Sequence, residues 1–545
     1  MPRFITFRRT LPIATLSIAI FSARAELPIN YPDWLAEVPG SPADNPELFY
    51  LYALGRDAAA ANSPLNPDEQ PYIVNEGNEA LLRLDFKGRQ DVAYIFETQA
   101  NLSENGKWTP LVWKLGPTEW QAVPDQGANI VEQETVLKFD FPTSTARFFR
   151  LRAFTDATLL NEAQAVRFLK HATFGPKQSE IDALLASDLD FEAWIDAQIA
   201  LPPTFHIDTA AQFPPFANFQ DDFPIGKRHG KGMLWFEVNL NSPDQLRHRM
   251  AWALFQIIVL GEEGSNNNGY LDEWATYYDH YVRHATGNYR DLLQDVTESP
   301  KMGRYLTYVN NQKANNSGTR QPDENYAREV MQLFTIGLWE LNRDGSLKLD
   351  ENDEPIPTYD NSDITELARV FTGYIRAPKR DDVEDREGDN WVDPMAVNNN
   401  RHDKGEKTLV DGTVLPAGQN TRPDVEQALD VLFNHPNTAP FISIRLIQRI
   451  TCSNPSPQYI DRVAAVFEDD GNGVRGNLAA VAKAILLDPE ARSGSFLIDP
   501  TRGKLREPLI RFMHLSRSFD LTSERNDKLL YITDLQKSIG AHPDR

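Results

Sequence analysis

Residues 242–261, SPDQLRHRMAWALFQIIVLG, decide the fold class. Ser242 and Pro243 supply a helix start, Gly261 supplies a stop, and the stretch between them has helical rather than alternating periodicity. The same period runs through NEAQAVRFLKHATFG (161–175), SEIDALLASDLDFEAWIDAQI (179–199), YLDEWATYYDHYVRHAT (270–286) and NYRDLLQDVTESPKMGRYLTYV (288–309). Further helices are expected over 323–336, 361–373, 424–434, 437–451, 457–469, 477–488 and 504–520. Upstream the pattern changes to short alternating segments: ALLRLDF (80–86), AYIFETQ (93–99), TPLVWKL (109–115), TVLKFDF (135–141) and RFFRLRAF (147–154), divided by Gly, Asn, Asp and Pro. The fold class expected is mainly α, a large multi-helix domain preceded by a small all-β sandwich-like module.

At 545 residues the chain exceeds what one core usually serves. Residues 1–25 have the pattern of a signal peptide: Arg3, Arg8 and Arg9, an apolar Leu11–Phe21, then Ala23-Arg24-Ala25 before Glu26. The export route read from this pattern is a Sec signal, and Arg8-Arg9 also fits twin-arginine export. The apolar stretch is shorter than the ~20 residues that span a bilayer, so no transmembrane anchor is expected. Residues 26–44 read as a linker, 45–155 as the β-rich module and 156–545 as the helical domain. Losing the four arginines of the signal takes the formal charge from −23 to −27 for the mature chain, which repels phosphate backbones and argues against a nucleic-acid partner. Cys452 is the only cysteine, so no intramolecular disulfide can form, and it reads as a structural thiol.

Two polar constellations stand out. On the helix opened by Asp323, one side carries Tyr326, Val330, Leu333 and Phe334, and the other Glu324, Asn325, Arg328, Glu329 and Gln332. The structural reading is a surface helix with a Glu324 to Arg328 pair; the functional one makes Glu324 and Glu329 acid, base or cation ligands and Arg328 an anion contact. Between Arg376 and Asp424 runs a long polar passage with an Asp411-Gly412 hairpin turn. Within it, His402 and Asp403 with Glu406 and Lys407 suit a metal or general-base site, against a structural reading in which Asp403 caps a turn and Lys407 starts the hairpin. A divalent metal, if bound, would take His402, Asp403 and Glu329.

His280 and His284 lie four apart on one helix, but Tyr281 stands where a metalloprotease motif needs glutamate, so they read as a surface pair. His171 reads as a helix C-terminal cap. LNRDGSLKLDEND and EDDGNGVRGN space acidic residues as calcium loops do but lack the terminal glutamate, and they read as turns. No phosphate-binding loop, dinucleotide fingerprint or nucleophile elbow occurs, so no nucleotide cofactor is expected.

From Asn161 onward the chain resembles the bacterial family known as domain of unknown function 1800. The resemblance is carried by AVRFLKHATFGPKQSEI (165–181), RHRMAWALFQIIVLG (247–261), PDENYAREVMQLFTIGLWELNRDG (322–345), ITELARVFTGY (364–374), HDKGEKTL (402–409), HPNTAPFISIRLIQRITCSNPSP (435–457), NGVRGNLAAVAKAILLDPEAR (472–492) and GKLREPLIRFMHL (503–515). It implies export, a helical domain, and a co-encoded exported partner of the domain of unknown function 1501 family; it implies no reaction. The family pattern continues beyond Arg545, so a truncated end is expected. Residues 45–57 and 148–153 also resemble the borders of a β-module common in exported proteins. The readings that remain are an exported accessory or binding protein of periplasm, outer surface or medium, and a metal-assisted hydrolase of an extracellular polymer using Glu324, Glu329, His402 and Asp403, with Arg328 and Lys407 as anion contacts.

Overall fold

A computed structural model describes residues 162–210, 231–261, 271–379, 390–492 and 503–522 in full, with the backbone of the strands before them and of two helix ends. The linker, residues 45–57 and the chain's last residues lie outside the described residues, as does the signal pattern apart from a two-residue strand at Ile18–Ala19. The chain divides into two compact units, residues 1–165 with 493–501, and residues 166–492 with 502–545.

In the first unit each of the five alternating segments contributes a strand. One antiparallel sheet has the order β1-β2-β7-β6, from β1 (Tyr72–Glu76), β2 (Glu79–Asp85), β6 (Ala128–Ile130) and β7 (Val136–Phe141). The other has the order β8-β3-β4-β5, from β3 (Ala93–Gln99), β4 (Thr109–Lys114), β5 (Gln121–Ala122) and β8 (Phe148–Phe154). Seven consecutive residue pairs, Phe148↔Gln99 to Phe154↔Ala93, fix the register of β8 on β3.

The described part of the second unit is mainly α. Its centre is the helix read from 242–261, which runs over Gln245–Phe255 with all eleven residues buried. It stops six residues before Gly261, where Ile257 tightens onto Leu254 with an i to i−3 bond and the β-branched Ile257, Ile258 and Val259 follow. Around it pack aromatic residues: Trp252 and Phe255 from the helix itself, Trp235 from Lys227–Asn241, and Trp274, Tyr277, Tyr278 and Tyr281 from Leu271–His284. Tyr281 donates its hydroxyl to the Ile258 carbonyl at 2.8 Å, so the ring set is tied to the backbone it covers.

The remaining expected helices form, most with shorter ends: Asn325–Gln332, Asn361–Val370, Thr438–Ile450, Pro457–Glu468, Leu478–Leu487 and Pro508–Ser518, whereas Thr421–Asn434 starts three residues before the expected 424. Cys452 is buried and unbridged. Among the described residues no helix is long and apolar enough to cross a membrane.

Asp244 shows how the central helix is tied down. Its fully buried carboxylate accepts from the Thr204 backbone N–H at 2.9 Å and the Thr204 hydroxyl at 2.7 Å, with His248 Nε2 at 3.4 Å. Burial alone would raise its pKa, but His248 and Thr204 outweigh it and hold the carboxyl at about 2. A depressed acid stabilises the fold above its unfolded pKa, and that contribution is lost as pH falls from about 4 toward 2, roughly 2 kcal/mol in all. Asp244→Asn is therefore expected to lower the urea midpoint at pH 6 and to flatten its decline below pH 4; an unchanged acid limb would show that Asp244 carries none of that linkage.

Candidate functional site

The two polar constellations meet the fold on either side of the helix Asn361–Val370. In Asn325–Gln332, Tyr326, Ala327, Val330 and Met331 are buried, as the helical period requires, and the Tyr326 hydroxyl sits 2.6 Å from that of Thr297. The opposite face is open: Glu324 and Arg328 pair at 3.5 Å with both side chains about two-fifths exposed. Glu329 is half-buried, and burial pushes its carboxyl up against the opposing pull of Arg328.

Asn361–Val370 begins with a capping box, Asp360 accepting from the N–H groups of Ser362 and Asp363, and Asp363 from that of Asp360. Thr365 donates to Glu324 at 3.3 Å, and one turn later Arg369 holds Asp403 through Nη2 and Nε, at 3.0 and 3.2 Å. A turn of helix rises about 5.4 Å, so this one helix bridges the two constellations. Arg369 also holds Glu366 at 2.6 and 2.8 Å, and these two carboxylates offset the burial that would lower its pKa. Asp403 in turn is held below the usual carboxylate range: burial opposes this, but Arg369 and the Gly405 N–H outweigh it.

His402 and Lys407 turn inward. The His402 ring is fully buried, with Nδ1 2.8 Å from the Thr372 carbonyl and Nε2 3.0 Å from Asp424. Lys407, 1% exposed, donates to the same Asp424 oxygen at 2.7 Å and to the carbonyls of Asp403 and Gly405. Both ring nitrogens lie against protein oxygens, so neither can take a metal or a substrate proton without giving up one of these contacts. Sequence reading missed Asp424, the hub of this set. It lies 17 residues from Lys407 in the first turn of Thr421–Asn434, where an acid reads as a favourable helix-end charge. Glu406 points to solvent.

The hairpin beyond Lys407 is real but differently built. Lys407–Thr408 and Val414–Leu415 pair antiparallel, Leu409 bonds Thr413, and Gly412 is at φ +85° while Asp411 keeps a negative φ. The loop is therefore the three residues Val410-Asp411-Gly412 with glycine at the left-handed position, rather than a two-residue Asp411-Gly412 turn.

His280 and His284 are not a plain surface pair: His280 is buried, and both rings reach Asp295, at 3.3 and 2.9 Å, with Arg283 at 3.1 Å. Burial would raise the Asp295 carboxyl, yet the two imidazoles hold it well below its usual range. Among the described residues no group of three or more His, Cys, Asp or Glu is arranged to hold a metal ion.

Between the two helices lies an arm, residues 338–358. Its three segments close into a ring: Glu340 N–H to the Ile356 carbonyl at 2.8 Å, Ile356 N–H to Lys348 at 3.1 Å, and Lys348 N–H to Glu340 at 2.8 Å. The Asp-rich stretches are its turns, with Asp344 accepting from Ser346 and Asp350 from Asn352 and Glu354. Buried Asn437 anchors the arm through Leu341 N–H and the carbonyls of Ile336 and Trp339, each at 2.7 Å. Gly337, at φ +72°, starts it where a Cβ would lie 2.7 Å from the Phe441 ring. The arm exposes Leu338, Trp339, Leu347 and Leu349, each to more than two-fifths.

The chain belongs to the family described as Protein of unknown function (DUF1800), whose model matches residues 167–543. No curated protein and no solved structure matches.

Removing one partner of a buried ion pair leaves an uncompensated charge, at a cost of about 3–5 kcal/mol. Lys407→Met is expected to lose that much in urea unfolding, and Glu324→Gln, on the exposed pair, less than about 1 kcal/mol. Equal losses would contradict the division between a buried anchor and a solvent-facing edge.

Proposed function

We propose that this chain is exported and acts as a binding protein rather than a catalyst, its helical domain presenting the 338–358 arm to a partner and its N-terminal strands closing as a small sandwich that serves as spacer. The N-terminal signal pattern and the acidic composition support export.

The observation that carries the binding reading is the contrast between interior and surface. His402, Asp403 and Lys407, the residue types suited to proton transfer or metal ligation, bind Asp424, Arg369 and backbone carbonyls, and so join Asn361–Val370 to Thr421–Asn434. Glu324, Arg328 and Glu329 lie along the solvent side of the helix that leads into the arm. What the arm that follows turns to water is apolar: Leu338, Trp339, Leu347 and Leu349. Clustered exposed apolar residues, a tryptophan among them, are what a protein interface uses for its anchors. The partner we propose is the co-encoded exported protein of the domain of unknown function 1501 family.

The test is calorimetry of the mature chain with that purified partner. A one-to-one complex is expected, weakened about tenfold or more by Trp339→Ala, with the melting temperature little changed. The reading fails if no complex forms while elemental analysis of chelator-free protein finds one metal per chain that both His402→Ala and Glu329→Ala remove. That result would make the chain a metal-assisted hydrolase instead.

A further inference from the structure

Three stretches far apart in sequence meet inside the helical unit and bring two arginines and a histidine together there. RHRMAWALFQ supplies Arg249 and Gln256, GKLREPLIRFMHL supplies Arg506, Glu507 and His514, and HATFG supplies the close contact that packs them together. Gly175, at φ +132°, lies so near the last helix that a Cβ there would be 2.5 Å from the His514 Cα.

Arg249 is 1% exposed, and only one arm of its guanidinium is used, donating to the Arg449 carbonyl at 2.6 Å. Its Nε and Nη1 have no partner, and neither do buried Nη1 of Arg506 and Nε2 of His514. Arg517, from the same helix as His514 and equally buried, shows the contrast: it bonds Gly175, Leu240 and Glu180 at 2.7 to 2.8 Å. Orphan donors at a charged buried group are costly enough to require an occupant. The acceptors left over here are Oε2 of Glu507 and Oε1 of Gln256, whose amide donates to the other Glu507 oxygen at 3.3 Å.

We propose that Arg249, Arg506 and His514, with Glu507 and Gln256 opposite them, form a half-buried site for phosphate or a phosphate monoester. Phosphate fits the inventory on both sides. Its unprotonated oxygens accept from the guanidiniums and its remaining hydroxyl, which inorganic phosphate keeps at neutral pH and an ester keeps only as its monoanion, donates to Glu507; sulfate has no proton to donate at neutral pH and sets an oxygen against that carboxylate. The charges around the site agree. Burial lowers Arg249 to about 10 and Arg506 to about 9, which leaves both charged at neutral pH. Glu507 is kept ionised by Lys504 and Arg249 against its own burial, and burial holds His514 neutral at about 3.

The full mature chain, freed of phosphate by dialysis, is titrated calorimetrically with inorganic phosphate, with glycerol phosphate and with sulfate. One phosphate per chain is expected, bound about tenfold or more tighter than sulfate. Arg506→Gln, at a half-buried position, is expected to weaken phosphate by a similar factor with an unchanged circular dichroism spectrum, whereas Glu507→Gln is expected to bring phosphate and sulfate within about threefold of one another. Binding of inorganic phosphate without glycerol phosphate identifies the free ion as ligand; binding of both identifies the monoester class. Absence of phosphate binding at millimolar concentration, equal binding of sulfate by the unaltered chain, or binding that survives both Arg506→Gln and Arg249→Gln would overturn the assignment.

Discussion

Taking charged groups out of water is the constraint on which this helical unit is built. An ion transferred into a protein interior costs several kcal/mol unless it is paired and its remaining hydrogen-bonding positions are filled. The central helix is buried on all sides and still carries Arg247, His248 and Arg249 in succession, and Asp424 lies at zero exposure between His402 and Lys407. Each such group dictates its neighbours. Asp244 requires Thr204 and His248, Lys407 requires Asp424 and two carbonyls, and Arg517 requires Glu180 and the carbonyls of Gly175 and Leu240. Segments hundreds of residues apart are thus held in one arrangement by a few obligatory partners, a specificity that apolar packing alone supplies less sharply.

How much of this was legible in the sequence follows from the range of each signal. Helical periodicity is local, and the helices from Asn325 to Ser518 lie where it placed them, with ends trimmed by caps and β-branched runs that a period does not register. The concentration of His402, Asp403 and Lys407 is also local, so their importance was visible. Their role was not, because whether an imidazole serves chemistry or structure depends on what faces both of its nitrogens, and Asp424 and the Thr372 carbonyl are remote in sequence. The cluster of Arg249, Arg506 and His514 left no local trace at all: each sits in a helix or helix border whose own pattern is ordinary. His171, read as a helix cap, proves to be buried and held neutral, by burial first and then by the neighbouring Arg506, Arg167 and Arg249.

The polar seam and the arm are parts of one construction. The capping box at Asp360 and the Arg369 fork fix the helix that follows the arm, Asn437 fixes its base, and Arg343 reaches Asp461 through two hydrogen bonds at 2.7 and 3.2 Å. A loop of some twenty residues is ordinarily mobile; this one is determined at its foot, its middle and its exit. Preorganisation of this sort lowers the conformational entropy lost when a surface is covered.

The ring of hydrogen bonds among Glu340, Lys348 and Ile356 also bears on self-association. Extended segments that show leucine and tryptophan to water are templates for pairing with their own copies, since an open strand edge offers unpaired N–H and C=O groups in register. Here the backbone donors and acceptors of Glu340, Lys348 and Ile356 are turned onto one another, with turns of aspartate and asparagine at the corners. The arm can therefore be sticky through its side chains while the backbone of Glu340, Lys348 and Ile356 stays closed on itself, which narrows the edge it offers to a second copy.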